Sequence, residues 1–178
     1  RDHYILIDFW ASWHPESTAE QDSLVRVLKA LKKEKFQIYS VSLDLSKEDW
    51  LKASDRDTTQ WHQVCDFKGW NNSLIKAQNI HTLPANLLLD KNKRIIERNI
   101  RGQELIDKVK QLIEEDKKRE KEKKLREKNA KRKKRKQEIE EMLVKFRENP
   151  KTMTNVAMYK AYRQTQQIYQ ANIKLLIY

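Results

Sequence analysis

The chain has 178 residues, 38% hydrophobic and 36% charged, which is enough for one domain with a buried core but too polar for a single uniform globule. The formal net charge is +12, yet residues 1–115 carry 18 Lys+Arg against 18 Asp+Glu and residues 116–136 carry 14 against 4, so the basicity belongs to a tail and not to a binding face on the fold. No run approaches the ~18 apolar residues of a membrane-spanning helix, no secretory signal is visible, and the chain opens at Arg1 almost directly on a strand, as a processed or trimmed product would.

The first predicted element is a strand over residues 4–9, Tyr-Ile-Leu-Ile-Asp-Phe, leading into Trp10-Ala11-Ser12-Trp13. A helix is expected over about 16–34, entered at Pro15 or Ser17. Glu16 and Glu20 suit its N-terminus, and Leu24, Val27, Leu28 and Leu31 form one apolar stripe. Residues 36–44 alternate apolar and polar, a strand pattern; Ser46 then caps a short helix to about Ser54 through a Ser-x-x-Asp signal. Residues 55–70, rich in Trp, Asp and Gln, read as irregular, and 72–78 as one or two helical turns. A strand over 86–90, a turn at Lys91-Asn92-Lys93 and a returning strand over 94–100 make a hairpin. Gly102 breaks it, and Leu105, Ile106, Val109, Leu112 and Ile113 mark the next helix.

This order, with Trp10-Ala11-Ser12-Trp13, Val41-Ser42-Leu43-Asp44, Lys68-Gly69-Trp70, Thr82-Leu83-Pro84, Leu87-Leu88-Leu89-Asp90-Lys91 and Arg101-Gly102, resembles the TlpA/ResA-like thiol-disulfide oxidoreductases (AhpC/TSA type), especially the Bacteroidetes-type versions, over residues 4–113. The resemblance implies an α/β thioredoxin-like fold, a central mixed sheet flanked by helices, for a thioredoxin-like domain (1–113), and a location in the periplasm or cell envelope. The composition beyond it adds a long charged helical C-terminal extension: a basic helical spacer (114–149) and an amphipathic C-terminal helix (150–178).

The family carries Trp-Cys-x-x-Cys after the first strand. Here the degenerate motif is His14-Pro15-Glu16-Ser17, with His14 and Ser17 at the two cysteine positions. Thiol–disulfide exchange needs an attacking thiolate and a resolving thiol, which neither residue supplies. The expectation is a redox-inactive scaffold with no catalytic residue. His14 reads as a turn histidine, and Ser17, with no catalytic base, as a first-turn helix residue. One His is a poor metal site; His14 with His81 and Glu16 is the one grouping that offers ligands, and no metal or cofactor is expected. In active relatives the loop matching Leu83-Pro84 has a cis proline and contacts substrate polypeptide. A peptide-binding groove at Trp13, Leu83 and Pro84 is therefore retained by resemblance, with strand addition as its mode and Trp13 as an anchor.

Cys65 is the single cysteine, so an internal disulfide and an intramolecular Cys-based metal cluster are excluded. It reads first as a small buried apolar residue, with a peroxidase-like nucleophile or an intermolecular disulfide as alternatives. Trp10, Trp50, Trp61 and Trp70 read as core or half-buried.

From Glu114 to Gln137 the chain is Glu, Lys and Arg with Leu125 and Ala130 as apolar exceptions, and pairs such as Glu120–Lys124 and Glu127–Lys131 support a solvated helix continuing from the domain. Lys131, Arg132, Lys133, Lys134, Arg135 and Lys136 form a basic patch. It is a solvated helical face or a site for an acidic protein or membrane surface; nucleic acid is disfavoured for want of aromatic residues and a nucleic-acid fold. Ile139, Met142, Leu143 and Phe146 return the apolar pattern, Asn149-Pro150 breaks the helix, and Tyr159, Tyr162, Gln166, Tyr169, Ile173 and Leu176 form an a/d stripe. That stripe reads as a docking surface for a protein partner, for the domain itself, or for a second copy in a homo-oligomer. The functional expectation is a redox-inactive binding or scaffold module, with a thiol enzyme using Cys65, or a basic tether to an anionic partner, as alternatives.

Overall fold

The computed structural model describes residues 2–54, 61–148, 160, 163–165 and 167. The chain divides into two compact units, Arg1–Lys117 and Lys118–Tyr178.

In the first unit, strand β1 (Tyr4–Trp10) is followed by helix α1 (Pro15–Ala30), strand β2 (Phe36–Ser42) and helix α2 (Lys47–Ser54). Strand β3 (His62–Cys65), a 3-10 turn (Gly69–Asn71), helix α3 (Ser73–Ala77), the strands β4 (Ala85–Leu89) and β5 (Ile95–Arg98), and helix α4 (Gly102–Glu148) follow. The sheet has the order β3-β2-β1-β4-β5, with β1–β2 and β2–β3 parallel and β1–β4 and β4–β5 antiparallel. This is the expected mixed sheet of a thioredoxin-like fold. The apolar residues of β1 serve two cores because successive side chains alternate. Tyr4 and Leu6 pack with Leu24, Val27 and Leu31 of the α1 side and Leu105, Val109 and Ile113 of α4; Phe9 joins Val41, Leu43, Ile75, Leu83 and Leu87 on the opposite face. Leu24 is fully enclosed in the first core, so Leu24→Ala should destabilise the unit by about 3 kcal/mol in urea unfolding, the loss expected when a buried leucine leaves a cavity.

Three expectations change. Of the stretch 55–70, expected to be irregular, residues 55–60 lie outside the described residues, and within 61–70 β3 adds a parallel edge strand, pairing Tyr39 with His62 and Ser42 with Cys65. Helix α1 stops at Ala30 instead of reaching 34: the Leu31 N–H still bonds Val27 O, but the Lys32 N–H turns back to Lys29 O and the Glu34 N–H to Leu31 O, in a tightening turn that feeds β2. Trp70 is 42% exposed, whereas Trp10 is buried and Trp61 is half-buried against the first core.

Helix α4 runs unbroken from Gly102, whose positive φ of 51° starts it after the β5 strand, to Glu148. Within the first unit its Asp116 accepts from Tyr4 Oη at 2.7 Å and pairs with Lys91 Nζ at 2.7 Å. In the second unit residues 118–138 are exposed and Ile139 is buried. The break at Asn149-Pro150, the side chain of Phe146 and the stripe Tyr159, Tyr162, Gln166, Tyr169, Ile173 and Leu176 lie outside the described residues.

Candidate functional site: a redox turn without thiols

The turn after β1 is tied down from two sides. Ser12 Oγ donates to Asp44 Oδ1 at 2.6 Å, and Ser12 N–H reaches both carboxylate oxygens at 3.2 Å. Ser42 Oγ donates to Asp44 Oδ2 at 2.6 Å, so a buried aspartate just beyond β2 anchors the turn. His14 N–H closes the turn on Ala11 O at 3.2 Å.

His14 is the N-cap of α1 and Pro15 its first residue, a position where the missing proline N–H is no loss. The His14 Nδ1 accepts the Ser17 N–H at 3.3 Å, which leaves Nε2 facing the Glu16 carboxylate at 3.2 Å. His14 thus fills the cysteine position as a helix cap, a role that satisfies one of the orphan amides of the first turn. Ser17 is wholly buried. Its hydroxyl lies 3.0 Å from His14 O and 3.3 Å from Ala11 O, either of which it can donate to, and it accepts the Ala11 N–H at 3.2 Å. With its hydrogen-bonding capacity used inside the turn, Ser17 has no base to activate it.

The turn and the proline loop meet. The β1–β4 register ends at Phe9 opposite Ala85, which sets Pro84 and Leu83 beside Trp10 and Ala11; Ala11 and Leu83 share the second core. The Leu83–Pro84 bond is cis, as the resemblance implied. Pro84 O accepts from Arg101 Nη2 at 2.5 Å, so that carbonyl is already engaged. Trp13 is 53% exposed and meets the His14 ring edge-on with centroids 6.0 Å apart.

Behind the turn lies a polar group that sequence reading missed. Asp8 is 1% exposed on the α1 side of the sheet and accepts from Gln21 Nε2 at 2.6 Å and Ser40 Oγ at 3.1 Å. Gln63 Nε2 donates to Gln21 Oε1 at 3.3 Å, Trp10 Nε1 to Gln63 Oε1 at 3.1 Å, and Trp61 Nε1 to Ser40 Oγ at 2.8 Å. Burial pushes the Asp8 carboxyl up to about 7, against partial relief from the Gln21 and Ser40 hydrogen bonds. Burial also raises Glu20, opposed by the Arg101 and Arg26 charges. The signal available in the sequence was a carboxylate in register with Tyr4 and Leu6, on the core side of an otherwise apolar strand.

Other predicted residues are dispersed. Cys65 is a free, half-buried thiol on the edge strand, donating to Asp44 O at 3.4 Å, rather than a fully enclosed apolar residue. His81 is exposed, and among the described residues no group of three His, Cys, Asp or Glu side chains is placed to hold a metal. Lys131 to Lys136 are all exposed on α4.

No family model matches the chain, and no curated protein matches it either. Solved structures do. A thiol-disulfide oxidoreductase from Bacteroides fragilis is 43% identical with a TM-score of 0.55, over 63% of this chain and 82% of that one. The thioredoxin domain of a thiol-disulfide oxidoreductase from Bacteroides vulgatus is 30% identical with a TM-score of 0.57, over 63% of this chain and 80% of that one. A thiol:disulfide interchange protein from Bacteroides sp. is 29% identical with a TM-score of 0.56, over 64% of this chain and 74% of that one. With identity at this level across most of such relatives and the sheet, helix order and cis-proline loop all in place, the chain belongs to the thioredoxin-fold thiol-disulfide oxidoreductases of the TlpA/ResA type.

Proposed function

We propose that this protein is a redox-inactive member of its family that works as a polypeptide-binding module in the cell envelope. The observation that carries this reading is the state of the two cysteine positions. His14 caps α1 and Ser17 is hydrogen-bonded within the turn, so both are built into the scaffold and neither can form a sulfur–sulfur bond. Family membership supports the envelope location, since disulfides persist in oxidising compartments such as the periplasm.

What survives is the recognition side of the site. Trp13 is exposed on the turn that meets the Leu83–Pro84 segment at Ala11, and the Pro84 carbonyl of that segment is held by Arg101. An extended peptide pairing with backbone next to Pro84 would lay its side chains against Trp13, the kind of exposed aromatic that anchors interfaces. A photo-crosslinking residue placed at position 13 should capture a polypeptide in cells. The same probe at Lys110, exposed on α4 in the first unit, should not capture it. Equal capture from both positions would remove the groove from the account.

The Cys65 alternative has weaker support. The thiol is half-buried, points to a backbone carbonyl and is the only one in the chain. Cys65→Ser should leave stability within about 1 kcal/mol of the parent, the range of a small isosteric change, and should leave peroxide consumption at background in both proteins. Peroxide turnover that disappears in the variant would establish the thiol enzyme instead.

A further inference from the structure

Helix α4 carries one feature that a redox scaffold does not explain. Residues 118–138 are exposed throughout, and the apolar ones among them are Leu125 and Ala130. Lys121, Lys124, Lys128, Lys131 and Arg135 recur at spacings of three and four, so they stand on a single face of the helix. At ~1.5 Å per residue that cationic stripe is about 20 Å long. No acidic residue falls within it. Glu120, Glu127 and Glu138 line one flank, where Glu120 pairs with Lys124 at 3.7 Å, and Glu122 lies on the far side. On the other flank Arg132 and Lys136 widen the positive surface.

We infer that this face of α4 lies on an anionic lipid surface, held by charge and without insertion. Three observations select a flat polyanion over other partners. The acid-free cations form a straight stripe on one side, which matches a plane. The helix lacks the apolar face that an interfacial helix buries, so Leu125 alone cannot drive insertion and binding must be electrostatic. A cluster of lysines and arginines of this size gains about 1 kcal/mol of attraction per residue at an anionic leaflet, and no aromatic residue is present to stack on bases. A duplex groove, by contrast, presents phosphates to both sides of a helix and would use the far-side cations equally.

The test uses the full chain and vesicles of phosphatidylcholine with or without about one-quarter phosphatidylglycerol, read by co-sedimentation. Two variants remove the same charge: one with Lys124, Lys128, Lys131 and Arg135 each changed to Gln, the other with Lys123, Arg126, Lys133 and Lys134 each changed to Gln. Circular dichroism confirms that both remain helical. The expected result is binding to anionic vesicles only, weakening by about tenfold or more between about 50 mM and about 300 mM salt as screening sets in. The stripe variant should bind about tenfold or more weakly, and the far-side variant within about threefold of the parent. No binding to anionic vesicles, equal losses in the two variants, or tighter binding to heparin or duplex DNA than to vesicles at the same salt would each overturn the inference.

Discussion

Changing His14→Cys and Ser17→Cys together should turn this chain into a dithiol reductase. The natural protein holds every other part of the redox turn in place. Position 14 is the N-cap of α1, where the helix dipole lowers a thiol pKa from ~8.5 toward the 3.5–7.5 range and raises the thiolate fraction at neutral pH. Position 17 lies in the same first turn, where its N–H bonds the His14 side chain at 3.3 Å, and the two introduced sulfurs are expected to close a disulfide there. The thiolate at 14 would attack one sulfur of a substrate disulfide, displacing the other as a thiolate. The thiol at 17 would then lose its proton and attack the mixed disulfide, releasing the reduced substrate and leaving the enzyme oxidised. Dithiothreitol would return it to the dithiol form. With dithiothreitol present, insulin precipitation should run about tenfold or more above the parent's rate, while each single variant stays near background because it lacks either nucleophile or resolving thiol. A double variant that forms no internal disulfide and no turnover would mean that the scaffold has drifted beyond the replaced side chains.

Asp8→Asn should raise stability at pH 8 and remove most of the pH dependence between 4 and 7. The folded-state carboxyl of Asp8 sits at about 7 against an ordinary 3.8, with burial as the main cause. Between those values the unfolded chain has released a proton that the folded chain still holds, so stability is fully present below pH 4 and falls as pH rises to 7. A tenfold difference in proton affinity between the folded and unfolded chains is worth ~1.4 kcal/mol, which bounds the loss at about 4 kcal/mol and leaves the curve flat above 7. Asn keeps an oxygen for the Gln21 and Ser40 donors without carrying a charge into the core. Urea unfolding at pH 5 and pH 8 should show a marked drop for the parent and little for the variant, with the variant about 1 kcal/mol or more the stabler at pH 8. Parallel drops in both proteins would assign the pH dependence elsewhere. Trp10 and Trp61 sit at the two ends of the hydrogen-bond chain through Asp8, so their fluorescence offers an independent readout of the same titration.

The parts of this fold that could be read in advance are those where pattern and chemistry agree. β1 is a short apolar run, β2 alternates apolar and polar residues, the hairpin is punctuated by Asp90 to Lys93, and Pro84 carries its loop by itself. β3 was illegible because it is four residues, His-Gln-Val-Cys, on a sheet edge with alternate residues exposed; backbone pairing with β2 defines it, and no apolar run announces it. The α1 end was overrun because Lys32, Lys33 and Glu34 are good helix formers, and only the tertiary turn into β2 stops them. Within the site, loss of the cysteines was plain from His14 and Ser17. What could not be seen was that Ser17 is sealed into the turn, and that Asp8, Gln21, Ser40 and Gln63 form one buried chain. Those contacts join residues from β1, α1, β2 and β3 that only the fold brings together.

Insulin reduction by the natural chain, with Cys65→Ser run beside it, bears most directly on the loss of redox chemistry. Both proteins should leave the rate at the level of dithiothreitol alone, because no pair of thiols exists and Cys65 has no partner cysteine. Turnover above that level by the natural chain, whether or not it survives in the Cys65→Ser variant, would contradict a redox-inactive module.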